Sequence, residues 1–119
     1  MKKLLFIETG MGIDVHGQNV TKAAVRAVHN AIHFNSMPGI KELLPDQSLE
    51  NMQVKIKLGV PSNQEQLDEE AVKAEIPYGQ VTLEVQHGGL ATTHGIVLED
   101  KEDQNDLMVI AVASVEVGY

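Results

Sequence analysis

A helical pattern built largely on small residues is the feature that most constrains this fold. At about 100° per residue, the segment from Thr21 to Phe34 and the residue before it gather apolar side chains on one face: Val20, Ala24, Ala27, Val28 and Ala31. The opposite face carries basic and histidine side chains: Lys22, Arg26, His29 and His33. We expect such a helix to pack closely through its alanines and to turn its basic face to water or a neighbouring subunit.

Apolar runs before and after this helix predict the sheet on which it packs. Leu4 to Glu8 is typical of a short apolar strand. Met52 to Val60 alternates apolar with polar residues, as a strand with one buried face does. The segment from Leu107 to Val117 is apolar on both faces as far as Ser114. A strand of that kind is expected at the centre of a sheet, covered on both sides.

The remaining segments predict a second helix and a hairpin. The motif Ser62-x-x-Glu65 is typical of a capping box and is expected to open a short acidic helix. Gln80 to Gln86 alternates like a strand, and the following His87-Gly88-Gly89 is typical of a turn. We expect this turn to lead into a second strand from Ala91 to Leu98.

These elements predict a single α+β domain over residues 1–119 in the order β-α-β-α-β-β-β. The expected architecture is a two-layer sandwich, with two main helices on a mixed, mostly antiparallel sheet of about five strands. With 43% hydrophobic residues but only two Phe, two Tyr and no Trp, the core must be aliphatic. The absence of Cys excludes disulfides and zinc–thiolate sites, so any metal must bind through His, carboxylate or carbonyl groups. Neither a particular metal nor a cofactor follows from the sequence.

The charge balance argues against two classes of partner. Seventeen acidic residues against nine basic ones give a formal charge of −8, which repels nucleic-acid backbones and anionic membranes. No apolar run approaches the roughly 20 residues of a spanning helix. The N-terminal apolar stretch stops at Glu8, short of the apolar region of a signal peptide. We therefore expect a cytoplasmic protein.

The segment between the first strand and the helix, Gly10 to Gly17, is the strongest candidate for a site. It combines three glycines with an acid and a base two residues apart, and we expect it to form a loop. Amides at a helix N-terminus favour an anion or an electron-rich oxygen, with Asn19 or Thr21 as the cap. A Rossmann fingerprint and a P-loop are excluded, because Val15 and Gln18 stand where those motifs need Gly and Lys.

Catalytic and binding roles follow from this prediction. His16 is the general base or acid, Asp14 is its orienting partner or a metal ligand, and Lys22 is an electrostatic clamp. The ligand-binding set comprises the glycines and two neighbours: Gly10, Gly12, Gly17, Glu8 and Thr21. The alternative is that the glycines only shape a tight connection and that Asp14 hydrogen-bonds loop amides.

Other polar groups have structural explanations that we favour. His29 and His33 have the i, i+4 spacing of metal ligands, but the cations beside them indicate a solvated basic stripe. His87 is expected in a turn, and His94 is expected either as a hydrogen-bonded core residue or beside His16 at a metal or catalytic centre. Two groups near the C-terminus are also candidates: Ser114 and Glu116. The serine is a nucleophile only if His16 or Lys22 meets it in space, and the carboxyl either points to solvent or lies in a polar site with a raised pKa.

The motif Gly10-x-Gly12-x-Asp14-x-His16-Gly17 resembles that of a small family of uncharacterised bacterial proteins, which also occurs with an N-terminal extension in plants. This resemblance implies that the motif residues matter but assigns them no reaction. The chain is also similar to one repeat of the ring-opening amidohydrolases of cyanuric acid and barbiturate. That similarity implies a homotrimer, although Glu8-Thr9 stands where those enzymes place a Lys.

Two functions fit these observations. One is a homo-oligomeric small-molecule enzyme of the hydrolase or lyase type, whose segment 10–17 holds an anionic or carbonyl substrate. The other is a non-catalytic module that binds a small anion or a metal, with the basic stripe joining its subunits.

Overall fold

The computed structural model describes residues 1–119. It has five strands: β1 (Leu4–Asp14), β2 (Gln53–Val60), β3 (Gln80–His87), β4 (Leu90–Thr93) and β5 (Leu107–Gly118). The helices are one long and two short: α1 (Val20–His33), α2 (Ile40–Leu43) and α3 (Glu69–Lys73). Four single turns of 3-10 helix complete the connections: Pro45–Gln47, Leu49–Asn51, Gln64–Gln66 and Glu99–Lys101.

Strand β5 organises the sheet, whose order is β1-β5-β2-β3. It pairs antiparallel with β1 along one edge, and with β2 and then β4 along the other. Only β2 and β3 are parallel. The predicted α+β class, the mixed and mostly antiparallel sheet and the number of strands are therefore confirmed. The central position of β5 is also confirmed, but the helices cover only one of its faces, and Val112 on the other face is 43% exposed.

Helix α1 begins and packs as its sequence pattern predicts. The side chain of Asn19 accepts a hydrogen bond from the Lys22 amide and caps the helix. Every residue of the predicted apolar face is buried, together with Ala23. Lys22, Arg26 and His29 are exposed. None of the helices has the length and apolar character that crossing a bilayer requires.

Gly10 and Gly12 lie inside β1, so the prediction of a loop from residue 10 is wrong for this part of the segment. A Cβ on Gly12 would lie 2.1 Å from the Ala23 carbonyl oxygen, and one on Gly10 would lie 2.4 Å from the Ala31 amide nitrogen. Their partners in β5 are also small, Ala113 opposite Gly10 and Ala111 opposite Gly12. The glycines and alanines therefore form a shallow groove that lets the backbone of α1 lie almost directly on the sheet.

The predicted hairpin does not form. Strand β4 runs in the same direction as β3 and pairs with β5. Because β2 ends before Pro61, the first residues of β5 lack a partner on that side. The chain fills the gap by stepping across at Gly88-Gly89, where the Gly88 amide donates to the Val60 carbonyl at 3.1 Å and Gly89 has φ +71°.

The capping box predicted at Ser62 and Glu65 is also absent. Asn63 adopts a left-handed conformation and is followed by a 3-10 turn, so no α-helix starts there. Helix α3 begins later, where the Asp68 side chain accepts from the Ala71 amide. Val72 is the buried residue of this short helix.

Candidate functional site

Asp14 ends β1 and ties it to the start of α1. It is 5% exposed, and its Oδ2 accepts a hydrogen bond from the Asn19 amide at 2.8 Å. Its Oδ1 lies 3.4 Å from the Arg26 guanidinium, which also donates to the Ile13 carbonyl at 2.6 Å. Asp14 thus bonds one backbone amide, that of Asn19, and one helix side chain, that of Arg26.

The partner of His16 is Asp103, a residue of the polar segment that precedes β5. His16 Nδ1 lies 2.6 Å from Asp103 Oδ2, which also accepts from the Leu98 amide. Asp103 Oδ1 accepts from the Gly17 amide and the Gln18 side chain at 2.6 and 3.0 Å. Burial alone would raise the pKa of this carboxyl, but these hydrogen bonds outweigh it and hold the pKa well below its usual value.

This carboxylate network changes the geometry expected for residues 14–21. Asp103, and not Asp14, hydrogen-bonds the His16 ring. The amides of Gly17 and Asn19 donate to the carboxylates of Asp103 and Asp14, so they are already engaged where an anion was expected. Thr21 Oγ1 accepts from the Asp68 amide at 3.0 Å.

The other sequence candidates divide between this network and the uncovered sheet face. The ring of His94 lies 5.1 Å from that of His16, and its Nε2 donates to the Val15 carbonyl at 3.1 Å. Ser114 and Glu116 lie on the uncovered face, where Ser114 is opposite Thr9 and Lys57 in the strand register. No hydrogen bond joins Ser114 to His16 or Lys22. The predicted turn residue His87 is instead the exposed last residue of β3.

A cavity of about 740 Å³ opens at the C-terminal end of α1, and we call it the end cavity. Its lining is mostly apolar: Phe6, Ile32, Met52, Val54, Val115 and Val117 with five others. Its polar lining residues come from β1, α1, the segment after α1 and the segment after α3: Glu8, His29, His33, Asn35, Ser36 and Glu75. A mostly apolar concave space with a few convergent polar groups is typical of a small-molecule site.

Glu8 is the predicted site residue that the structure brings into this cavity. It is half-buried on the helix side of β1, two residues before the groove that receives α1. Burial raises the pKa of Glu8, and a hydrogen bond from the Asn35 side chain partly offsets the effect. Its carboxyl therefore retains a proton at higher pH than a solvated glutamate does.

Two histidines and a second carboxylate border the same cavity. The rings of His29 and His33 stack with their centroids 4.6 Å apart. His29 Nδ1 lies 3.7 Å from Glu75 Oε2. These histidines belong to an exposed stripe, as predicted, but they also line the cavity. No Lys or Arg is among its lining residues.

Sequence reasoning missed three residues that matter to these sites: Asp103, Glu75 and Asn35. Asp103 is 87 residues from His16, and its segment carries several similar acidic and amide residues, so no spacing indicates the pairing. Asn35 directly follows Phe34 at the end of α1, and this position beside a helix end is the sequence feature that could have indicated its role. Glu75 carries no comparable signal.

A family model described as "Conserved hypothetical protein (Lin0512_fam)" matches residues 4–117. Among solved structures, the chain is similar to a crystal structure described as an FtsZ-like protein of unknown function from Nostoc punctiforme. The two are 44% identical, the match covers 97% of this chain and 93% of that chain, and the TM-score is 0.87. No curated protein matches.

Proposed function

We propose a function from the geometry of the chain itself, because the chain belongs to the Lin0512 family of conserved hypothetical proteins and that description states no reaction. In this proposal the protein is a small-molecule enzyme whose active site is the end cavity. Glu8 is the group that donates and accepts the proton. A hydrolase or a lyase uses such a group as its general acid or base.

The observation that carries this proposal is the carboxyl of Glu8 at the wall of a mostly apolar cavity. The volume of about 740 Å³ suits a small organic molecule. A general acid or base works best when its pKa lies near the working pH. Since burial shifts the pKa of Glu8 upward, the environment tunes the group in the useful direction.

The lining also favours one class of substrate. Without Lys or Arg, the cavity has no permanent cation to offset an anionic ligand, whereas Glu8 and Glu75 both contribute negative charge when ionised. The stacked rings of His29 and His33 add a flat surface at its border. We therefore assign to the cavity an uncharged or cationic molecule with a flat apolar body, in place of the anion expected at residues 10–17.

Three probes with the same ring test this assignment: benzylamine, benzyl alcohol and benzoate. Benzylamine is expected to raise the Tm of the wild type, benzyl alcohol to raise it less, and benzoate to leave it unchanged. Glu8→Gln is expected to weaken benzylamine binding about tenfold or more, because a hydrogen bond to a charged group is lost. The weaker effect of benzyl alcohol should persist. Thermal melting at increasing probe concentration gives both results.

Glu116→Gln is the matched control, since Glu116 lies in the same sheet but on the opposite face, paired with Lys57. It is expected to leave all three probe responses unchanged. Preferential stabilisation by benzoate, or equal loss in both variants, would contradict the assignment.

The pH dependence of the melting temperature shows whether the Glu8→Gln variant is folded. A carboxyl whose pKa is raised in the folded state destabilises the fold at pH values where the unfolded chain is ionised. We therefore expect Glu8→Gln to melt slightly above the wild type at pH 7 and to converge with it below pH 4.5, the ordinary value for a glutamate.

His16 and Asp103 support a second candidate active site. The Asp103 side chain is fully shielded, the His16 side chain is 22% exposed, and a 2.6 Å contact joins them. A carboxylate held in this way orients the ring of a histidine base. Here Asp103 takes the orienting role first given to Asp14, and Lys22 keeps its predicted role as an electrostatic clamp. The ligand-binding roles predicted for the glycines and Thr21 do not enter this candidate, because Gly10 and Gly12 pack against α1 and because Gly17 and Thr21 bond Asp103 and Asp68. Turnover that survives Glu8→Gln and is lost in His16→Asn selects this site. The homotrimer and the cytoplasmic location stay predictions.

A further inference from the structure

The sheet has one face that no helix covers, which we call the open face. Its central part is apolar and joins three neighbouring strands. Met11 is opposite Val112, and Ile13 and Leu90 flank Ile110 on its two sides. Met11, Leu90 and Val112 are 47, 56 and 43% exposed. A contiguous apolar patch on an exposed sheet marks an interaction surface.

The charges on the open face cancel. Its strand positions carry two lysines and two glutamates, joined as ion pairs of 3.3 Å between Lys55 and Glu84 and 3.0 Å between Lys57 and Glu116. The formal charge of the chain is −8. The whole of that excess therefore lies on other surfaces, and this face is one where two copies of an acidic chain approach without net repulsion.

We propose that a second copy of this chain covers the open face, and that the protein assembles through all five strands of the sheet. The five strands have 11, 8, 8, 4 and 12 residues, and at about 16 Å² of sheet per residue their combined face covers roughly 700 Å². This area is close to the approximately 800 Å² that each partner buries in a standard interface. The alternating lysines and glutamates let each copy offer both signs to the other. This interface is independent of the function of the end cavity.

Val112→Lys tests the interface because it places a charge at the centre of the apolar patch. Light scattering coupled to size exclusion is expected to give a multiple of 13.0 kDa for the wild type and 13.0 kDa for the variant. Leu43→Lys is the matched control: Leu43 is 47% exposed, but it lies on the helix layer. It should keep the wild-type mass. A wild type of 13.0 kDa, or an assembly that persists in Val112→Lys, overturns the proposal and leaves the face for a different partner.

A second measurement decides the matter if Val112→Lys does not fold. The chain has no cysteine, so Val112→Cys and Leu43→Cys each introduce a single thiol at similar exposure in the isolated chain. Maleimide is expected to label Val112→Cys at least about tenfold more slowly than Leu43→Cys, because the second copy shields the first thiol. Equal labelling rates overturn the proposal.

Discussion

Gly12→Ala is expected to lower the free energy of unfolding by about 3 kcal/mol, the upper end of the usual cost of overpacking. The added Cβ would lie 2.1 Å from the Ala23 carbonyl oxygen and 2.3 Å from the Ala27 amide nitrogen. Both are backbone atoms of α1, so relief requires moving the helix away from the sheet. In thermal unfolding we expect Tm to fall by about 10 °C.

Gly39→Ala is the control for this change. A Cβ on Gly39 has no atom within 4 Å, and Gly39 has φ −84°, which alanine adopts readily. It should leave stability unchanged or raise it slightly, because alanine restricts the unfolded chain. Equal stability of the two variants would show that α1 does not lie on the backbone of β1 as closely as described.

Asp103→Asn is expected to produce the second large loss of stability. Each carboxylate oxygen accepts from two donors. Whichever way an amide turns in this position, its NH2 group faces two of those donors and cannot accept from them. We expect Tm at pH 7 to fall by roughly 5–10 °C. Hydrogen exchange should also quicken at the Gly17 and Leu98 amides.

The pH dependence of this loss has a defined sign. Because the folded-state pKa of Asp103 is lowered, the ionised carboxylate stabilises the fold above its unfolded-state value of about 3.8, and the stabilisation is lost as the pH falls below it. The gap between wild type and Asp103→Asn should therefore be constant near neutral pH and shrink below pH 3.8. Asp106→Asn is the control, since its carboxylate accepts one hydrogen bond, from the Gly95 amide. A gap as small as that of the control would contradict the network.

Local patterns predicted the elements of this fold well, because they depend on neighbouring residues. The apolar face of α1 and the buried face of β2 follow from spacing alone, and the sequence narrowed the cap of α1 to Asn19 or Thr21, of which the structure selects Asn19. The role of the glycines in β1 could not be predicted, because glycine is as typical of a loop as of a close approach between backbones. Only the position of α1, whose backbone lies against Gly10 and Gly12, shows that these glycines allow a close approach. The step from β3 to β4 likewise could not be predicted from local sequence, because it depends on the first residues of β5 having no partner in β2.

The candidate site was less predictable than the fold. In the structure, the motif residues Gly10, Gly12 and Asp14 form the contacts between β1 and α1. His16 and Gly17 hold the segment before β5 through Asp103. The end cavity joins residues from opposite ends of the chain, such as Glu8 and Val115, and exists only after the sheet has formed. Glu8 alone belongs both to the sequence-predicted set and to the cavity.

The most direct test of the central claim, that the end cavity is the functional site, is an NMR titration of the ¹⁵N-labelled wild type with benzylamine. We expect saturable shifts in the amides of Glu8, His29, Asn35 and Glu75, and we expect Glu8→Gln to need about tenfold or more benzylamine for the same shifts. Residues 14–18 should remain unchanged. Shifts confined to His16, Gly17 and Asp103, with the cavity residues unmoved, would contradict the claim.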